Sequence, residues 1–277
     1  MNPPGGRLAA AARHLGLIAA VALVGLPLIW VGLAAFKTQI ALLMGTFTLT
    51  PYWGNFDELF FSKSSDYLAN FANSLLIASV TTVVVLLLST VAAYSMHRLG
   101  WPRWVPAMLL LGSLMFHMVP PITLVGSWYT MFRSVGLGGT HASLILAHIV
   151  LHLPIGLGVM SLFVRDIPVE IEEAARIDGC TVPQMLRLIV FPLAAPGLAA
   201  AGVLVFIFSW NEFAVALNMT AKQTATVPVV IAKFAQEYEI KYGVMAAGAL
   251  MSTVPAVALL LVAQRHIVKG LTAGSTK

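Results

Sequence analysis

Apolar positions in this chain come in long runs separated by short polar stretches. Six runs are long enough to cross about 30 Å of hydrocarbon as helices: Leu15–Phe36, Phe71–Tyr94, Val105–Val125, Ala142–Val164, Leu193–Trp210 and Val244–Ala263. Lipid offers the backbone no hydrogen-bond partners, so helices are the expected spanning form. The pattern predicts an all-α polytopic membrane protein with six transmembrane helices in one domain over 1–277. Prolines fall within several runs, at Pro27, Pro120, Pro121, Pro154 and Pro196. Kinks are expected there, with neighbouring helices re-satisfying the freed carbonyls. The first run follows Arg7 and Arg13 like a signal peptide, but it has span length and no A-x-A-like site, which predicts an uncleaved helix.

Composition sharpens this picture. Of 277 residues, 59% are hydrophobic and only 10% charged, against roughly 25% charged in soluble domains. Too few charged side chains remain to cover a water-facing surface. Lys and Arg then orient the spans. With the N-terminus inside, Arg7, Arg13, Arg98, Arg103, Arg165, Arg176, Arg187, Arg265, Lys269 and Lys277 lie on the inner side. Lys37 and Lys63 lie outside in a loop over 37–70 that also carries Asp57, Glu58 and Asp66, Arg133 lies outside after the third run, and Lys222, Lys233 and Lys241 lie outside in a loop over 211–242. Ten against six places both termini in the cytoplasm. The +5 formal charge reads as this loop bias, and no nucleic-acid partner is expected. Cys180 is the single cysteine, which excludes an intrachain disulfide and a Cys-rich metal site.

Small residues crowd the last two spans, at Ala194, Ala195, Gly197 and Ala199–Gly202, then Gly243 and Ala246–Ala249. Such stripes let helix backbones approach closely in lipid.

The segment Arg165–Pro192 is the one long, charge-dense inner stretch. Pro168 suits a helix's first turn, and Glu170, Glu172 and Glu173 complement the positive end of its dipole. Glu172 and Arg176 stand four apart, the spacing of a helical ion pair. Gly179 is placed for a left-handed cap. Thr181 followed by Gln184 reads as a capping box, starting a second helix through Met185, Leu186 and Ile189 to Pro192. On the first helix Ile167, Ile171, Ala174 and Ala175 are expected to share a face. A helix this short is marginal alone in water, so a partner's groove is expected to cover it, with Glu173 at the edge.

Glu173-Ala174-Ala175, Gly179, Ile189 and Pro192 at these intervals resemble the EAA loop of ABC importer permeases, with Phe191 where the family usually has Leu. The resemblance extends over nearly the whole chain. Asn73-Ser74-Leu75, Trp210-Asn211-Glu212-Phe213 and Gln264-Arg265 with Gly270-Leu271-Thr272-Ala273-Gly274 are similar to the carbohydrate-uptake branch, which includes the maltose transporter's smaller permease. The tail departs from that branch after Gly274, with Ser275-Thr276-Lys277. The resemblance implies a type I ABC importer permease fold in a bacterial inner membrane. It also implies a heterodimer with a homologous sister permease, two cytoplasmic ATPases beneath and an extracytoplasmic solute-binding protein above. ATP and Mg would then be bound by the ATPases, with no cofactor and no catalytic residue in this chain. Glu172, Glu173, Ala174, Ala175, Asp178, Gly179, Ile189 and Pro192 are the implied coupling residues.

Other polar residues invite functional readings. The tail's resemblance to a phosphate loop fails, because the G-x-x-x-x-G-K-[ST] order is not met. His148 and His152 share a face of the fourth span, but no third ligand marks a metal site. They either pack, hydrogen-bonded, in the bundle or line the pathway, and His117 divides the same way. Trp210 is either an interfacial anchor or a platform for a sugar face, with Asn211 and Glu212 accepting sugar hydroxyls. Asn73 and Ser74 are weaker pathway candidates. Tyr52, Trp53, Phe56, Phe60, Phe61, Phe234 and Tyr238 in the outward loops either meet the binding protein or lie at the membrane interface. The alternatives are an ion-coupled secondary transporter, which needs Asp, Glu, Lys or Arg well inside the spans, and an intramembrane enzyme using the histidine pair.

Overall fold

The computed structural model describes residues 5–46, 50–63, 65–235 and 240–273, with the backbone alone at 5–9, 11 and 265–273. Tyr238 and Ser275–Lys277 lie outside the described residues, as do the side chains of the Arg265–Ala273 tail motif. Every element longer than an isolated bridge is helical among the described residues. Four helices are single candidate spans: α1 (Gly5–Ala34), α4 (Tyr67–Arg98), α7 (His141–Arg165) and α14 (Tyr242–Ala273). Short helices α2 (Gln39–Leu43) and α3 (Gly54–Phe61) lie between α1 and α4. The third and fifth runs are bent pairs, which bring the total to six if each pair is one span.

The first pair, α5 (Trp104–His117) and α6 (Pro121–Ser134), turns by 93°. This is a break where the sequence predicted a kink. A residue preceding proline is pushed out of the helical region, and Pro120 takes φ −59°, ψ 127° ahead of Pro121. Pro27 and Pro154, each alone, sit inside continuous helices. The second pair joins the run Val182–Leu193 to α11 (Ala195–Trp210) at 78°, with Pro196 in the first turn of α11.

The chain forms two compact units, Met1–Tyr67 with Ile231–Thr253, and Leu68–Val230 with Val254–Lys277. Within the first, Asn55 Nδ2 donates to the carbonyls of Ala35 and Lys37 at 2.9 and 2.8 Å. Tyr67 donates its hydroxyl to Gly248 O at 3.1 Å. Lys241 pairs with Glu58 at 2.5 Å. Phe36, Trp53 and Phe56 pack ring to ring at 5.0–5.7 Å, although Trp53 remains exposed.

Within the second unit α7 is central, packed by α5, α6, α11 and α12 (Ala214–Met219). One apolar cluster gathers Ile77, Leu144, Leu151, Val215 and Val229. The other gathers Tyr94, Val164, Ile167, Ala175 and Met185. The small-residue stripe works as expected at Gly197, where a Cβ would stand 2.4 Å from the Phe163 ring. Large apolar side chains are exposed along α1, α4, α5 and α14, as lipid-facing helices require.

Candidate functional site

The segment between α7 and α11 folds by local rules. Pro168 caps α8 (Val169–Ile177), and Glu170 and Glu172 occupy its first turn. Gly179 ends the helix at φ +86°, a conformation natural only to glycine. The Cys180 amide reaches Ala175 O at 2.9 Å and the Gly179 amide reaches Arg176 O at 3.0 Å, which is a Schellman cap. The Thr181 amide and hydroxyl both donate to Gln184 Oε1 at 2.8 Å, starting α9 (Val182–Met185). Pro192 has no N–H to continue a regular ladder. The run Leu186–Val190 accordingly widens to a π-helix, Phe191 N–H bonding Leu186 O, before α10 (Phe191–Leu193).

Tertiary packing sorts the faces of α8 differently from the expectation. Ile167 and Ala175 turn inward, while Ile171 and Ala174 turn outward beside Glu173. Ile177 is 87% exposed. Asp178, Gly179 and Pro192 are exposed as well, and Ile189 packs against the Ala175 cluster. The predicted Glu172–Arg176 pair does not form. Glu172 is 1% exposed, and its Oε1 takes a hydrogen bond from Arg98 Nε at 2.7 Å. Arg98 Nη2 also donates to Val164 O at 3.1 Å and Ile167 O at 2.7 Å. Sequence reading counted Arg98 only as a loop charge. Its one local signal was a basic residue ending an apolar run, which names no partner 74 positions away.

A second polar group lies where α7 meets the end of α11. His148 Nδ1 is 2.7 Å from Ser209 Oγ, and its Nε2 is 3.6 Å from Glu212 Oε2. The Glu212 carboxylate accepts from the amides of Val215 and Ala216, both at 2.9 Å, capping α12 in the manner of an N-terminal acid. His152 is 6% exposed, and both its ring nitrogens lack a protein partner. Its ring stacks with Phe208 at 6.2 Å. His152 and Phe208 line, with His117, Phe116, Leu151 and Glu212, a cavity of about 300 Å³ at the 93° elbow. Among the described residues no three His, Cys, Asp or Glu side chains converge as metal ligands would.

The remaining candidates do not join this cavity. Trp210 is 3% exposed and stacks against Phe206 at 5.8 Å, which sets aside the interfacial-anchor reading. Asn211 is exposed and bonds back to Ile207 O. Asn73 donates to the carbonyls of Gln223 and Ala225 and meets His141 at 2.8 Å. Ser74 accepts from the Val227 amide at 2.8 Å. Asn73 and Ser74 thus staple the 223–227 stretch to α4.

The chain is similar to known proteins in sequence and fold. Residues 86–272 match the family described as "Binding-protein-dependent transport system inner membrane component". The trehalose transport system permease protein SugB of Mycobacterium tuberculosis is 38% identical over 260 residues, covering 91% of this chain and 92% of that one. The trehalose/maltose transport system permease protein MalG of Thermococcus litoralis is 37% identical over 208 residues, 74% of each. A crystal structure of a bacterial ABC transporter involved in import of the acidic polysaccharide alginate contains a chain of the same fold. The two superpose with a TM-score of 0.73 at 18% identity, covering 96% of this chain and 98% of that one.

Proposed function

This chain belongs to the family of binding-protein-dependent transport system inner membrane components, and we propose that it is one of two permease subunits in an ATP-driven sugar importer. It is a multi-pass membrane permease, and this family replaces the ion-coupled and enzymatic alternatives. In the proposed assembly residues 1–277 form a single permease domain beside a homologous sister. Both termini and α8 face the cytoplasm, where two ATPase subunits hold ATP and Mg. A solute-binding protein docks outside, against the loops over 37–70 and 211–242. The carried solutes are disaccharides of the trehalose or maltose class, the class named for its relatives.

The observation that carries this reading is the two-sidedness of α8. One side holds Glu172 and Ala175 inside the protein, while the other presents Glu173, Ala174 and Ile177 outward. A nine-residue helix so anchored transmits rigid-body displacement, because a packed interface has discrete arrangements. Ala174 keeps the outward face shallow enough for a groove to close on it, with the Glu173 carboxylate at the rim. Asp178, Gly179, Ile189 and Pro192 act by shaping this elbow.

On the membrane side, the cavity at the α5–α6 elbow suits one hydroxylated ring. At about 300 Å³ it sits at the small end of ligand pockets. His152 and His117 offer polar partners to hydroxyls and Phe208 an apolar wall, while His148 and Glu212 fix the cavity's far side. Asn73, Ser74, Trp210 and Asn211 act by holding neighbouring segments in place.

The decisive experiment is Glu173→Lys in the complete importer reconstituted in liposomes. Trehalose import is expected to fall about tenfold or more, the scale of one coupling free energy. Membrane insertion should be unchanged. Native import by this variant would remove the coupling assignment.

A further inference from the structure

Arg98 occupies an unusual position, buried at the last residue of a 32-residue helix. At 1.5 Å per residue α4 is about 48 Å long, well over the hydrocarbon thickness. Its end lies at the level of α8. There a single guanidinium touches two helices and the turn between them. Its Nε binds Glu172 on α8, and its Nη2 binds Val164 O in the last turn of α7 and Ile167 O just beyond it. The Arg98 side chain is 7% exposed. The neighbouring His97 Nε2 lies 2.8 Å from Ser161 Oγ, a second tie between α4 and α7.

Stability is a poor explanation for this arrangement. Buried ion pairs are often matched or surpassed by apolar pairs of similar volume. This one is incompletely satisfied, since Glu172 Oε2 has no hydrogen-bond partner. An ion pair does supply direction. Apolar contacts around Tyr94, Val164, Ile167 and Ala175 resist separation but permit sliding. A planar guanidinium holding an acceptor on each of two nitrogens also resists rotation and shear.

We infer that Arg98 is a positioning residue for transport, a strut through which displacement of α8 is delivered to the ends of α4 and α7. The inference rests on the proposed docking of α8 to an ATPase and adds the route inward from that contact. Without the strut, α8 still docks and moves, but it shifts against the bundle and the bundle does not follow.

The test compares Arg98→Met, Arg98→Lys and the double variant Arg98→Met/Glu172→Leu in the reconstituted importer. Trehalose imported and ATP hydrolysed are both measured. Arg98→Met strands a buried carboxylate and should lower the yield of assembled protein. The double variant removes that burden and should assemble at the native level. Both should import about tenfold less trehalose per ATP than the wild type, within the usual range of coupling energies. Arg98→Lys should fall between, because an ammonium is a point charge without the fork. A double variant that assembles and keeps the native import-to-hydrolysis ratio would show that Arg98 serves folding alone. Glu173→Lys, run in parallel, separates the two assignments. If it is inactive while the double variant is native, only the strut falls. If it is native, the docking of α8 falls with it.

Discussion

Two buried polar clusters in the same unit are built on opposite terms. Arg98 Nε and Nη2 donate to protein acceptors at 2.7–3.1 Å. Both His152 ring nitrogens are buried without a protein partner, and the side chain lines the elbow cavity. The Arg98 guanidinium is held by three acceptors, as a transmitting element should be, although Glu172 Oε2 has no partner. The His152 ring keeps its hydrogen-bonding capacity unused beside that cavity. His148 and Glu212 lie between these extremes. Ser209 and two backbone amides engage them, and a 3.6 Å gap separates them from each other. Burial alone therefore does not mark a functional polar group. Whether its hydrogen-bonding capacity is already taken up separates the transmitting role proposed for Arg98 from the solute-contacting role proposed for His152.

Three substitutions would break or sharpen this contrast. Glu172→Leu leaves the Arg98 guanidinium buried and unpaired, which typically costs about 3–5 kcal/mol. The purified protein should lose much of its thermal stability in detergent, and an unchanged melting temperature would mean the pair is not bonded as described. Glu212→Leu uncaps the amides of Val215 and Ala216 and should cost about 1–2 kcal/mol, the range of a lost N-cap. Local hydrogen exchange should rise at 214–219 and not at 169–177. The smallest stability effect is expected for His152→Leu, which removes unpartnered polar atoms and should hold or raise the melting temperature. Its signature is functional: one or two lost hydrogen bonds to sugar should raise the half-saturating trehalose concentration about three- to tenfold. Unchanged uptake kinetics would make His152 a packing residue.

Much of the architecture was legible in the chain. Hydrophobic run length located the spans, because a helix must cover a fixed thickness of hydrocarbon. Pro168, Gly179 and the Thr181–Gln184 turn set the ends of α8 and α9, since proline, glycine and capping residues act on their own backbone neighbours. The EAA spacing was equally readable, being a matter of intervals. Pro120-Pro121 marked a disturbance in the third run, but its size was not readable. The pre-proline effect removes one residue from the helical region, and packing on α7 and α12 determines where α6 then goes.

Sequence by itself thus determined whatever depends on a residue and its next few neighbours: which stretches are helices, where they stop, and that most of their surface suits lipid. Tertiary structure alone decided which side of α8 is buried, because Ala175 is buried while the more apolar Ile171 is exposed, a choice only the bundle's shape makes. It alone paired Glu172 with Arg98 in place of Arg176, since a partner 74 residues away offers a desolvated, three-point site that a neighbour on an exposed helix face cannot. It alone left the His152 ring nitrogens without a partner while engaging His148, because hydrogen-bond satisfaction is a property of assembled surroundings and is carried by no single position in the chain.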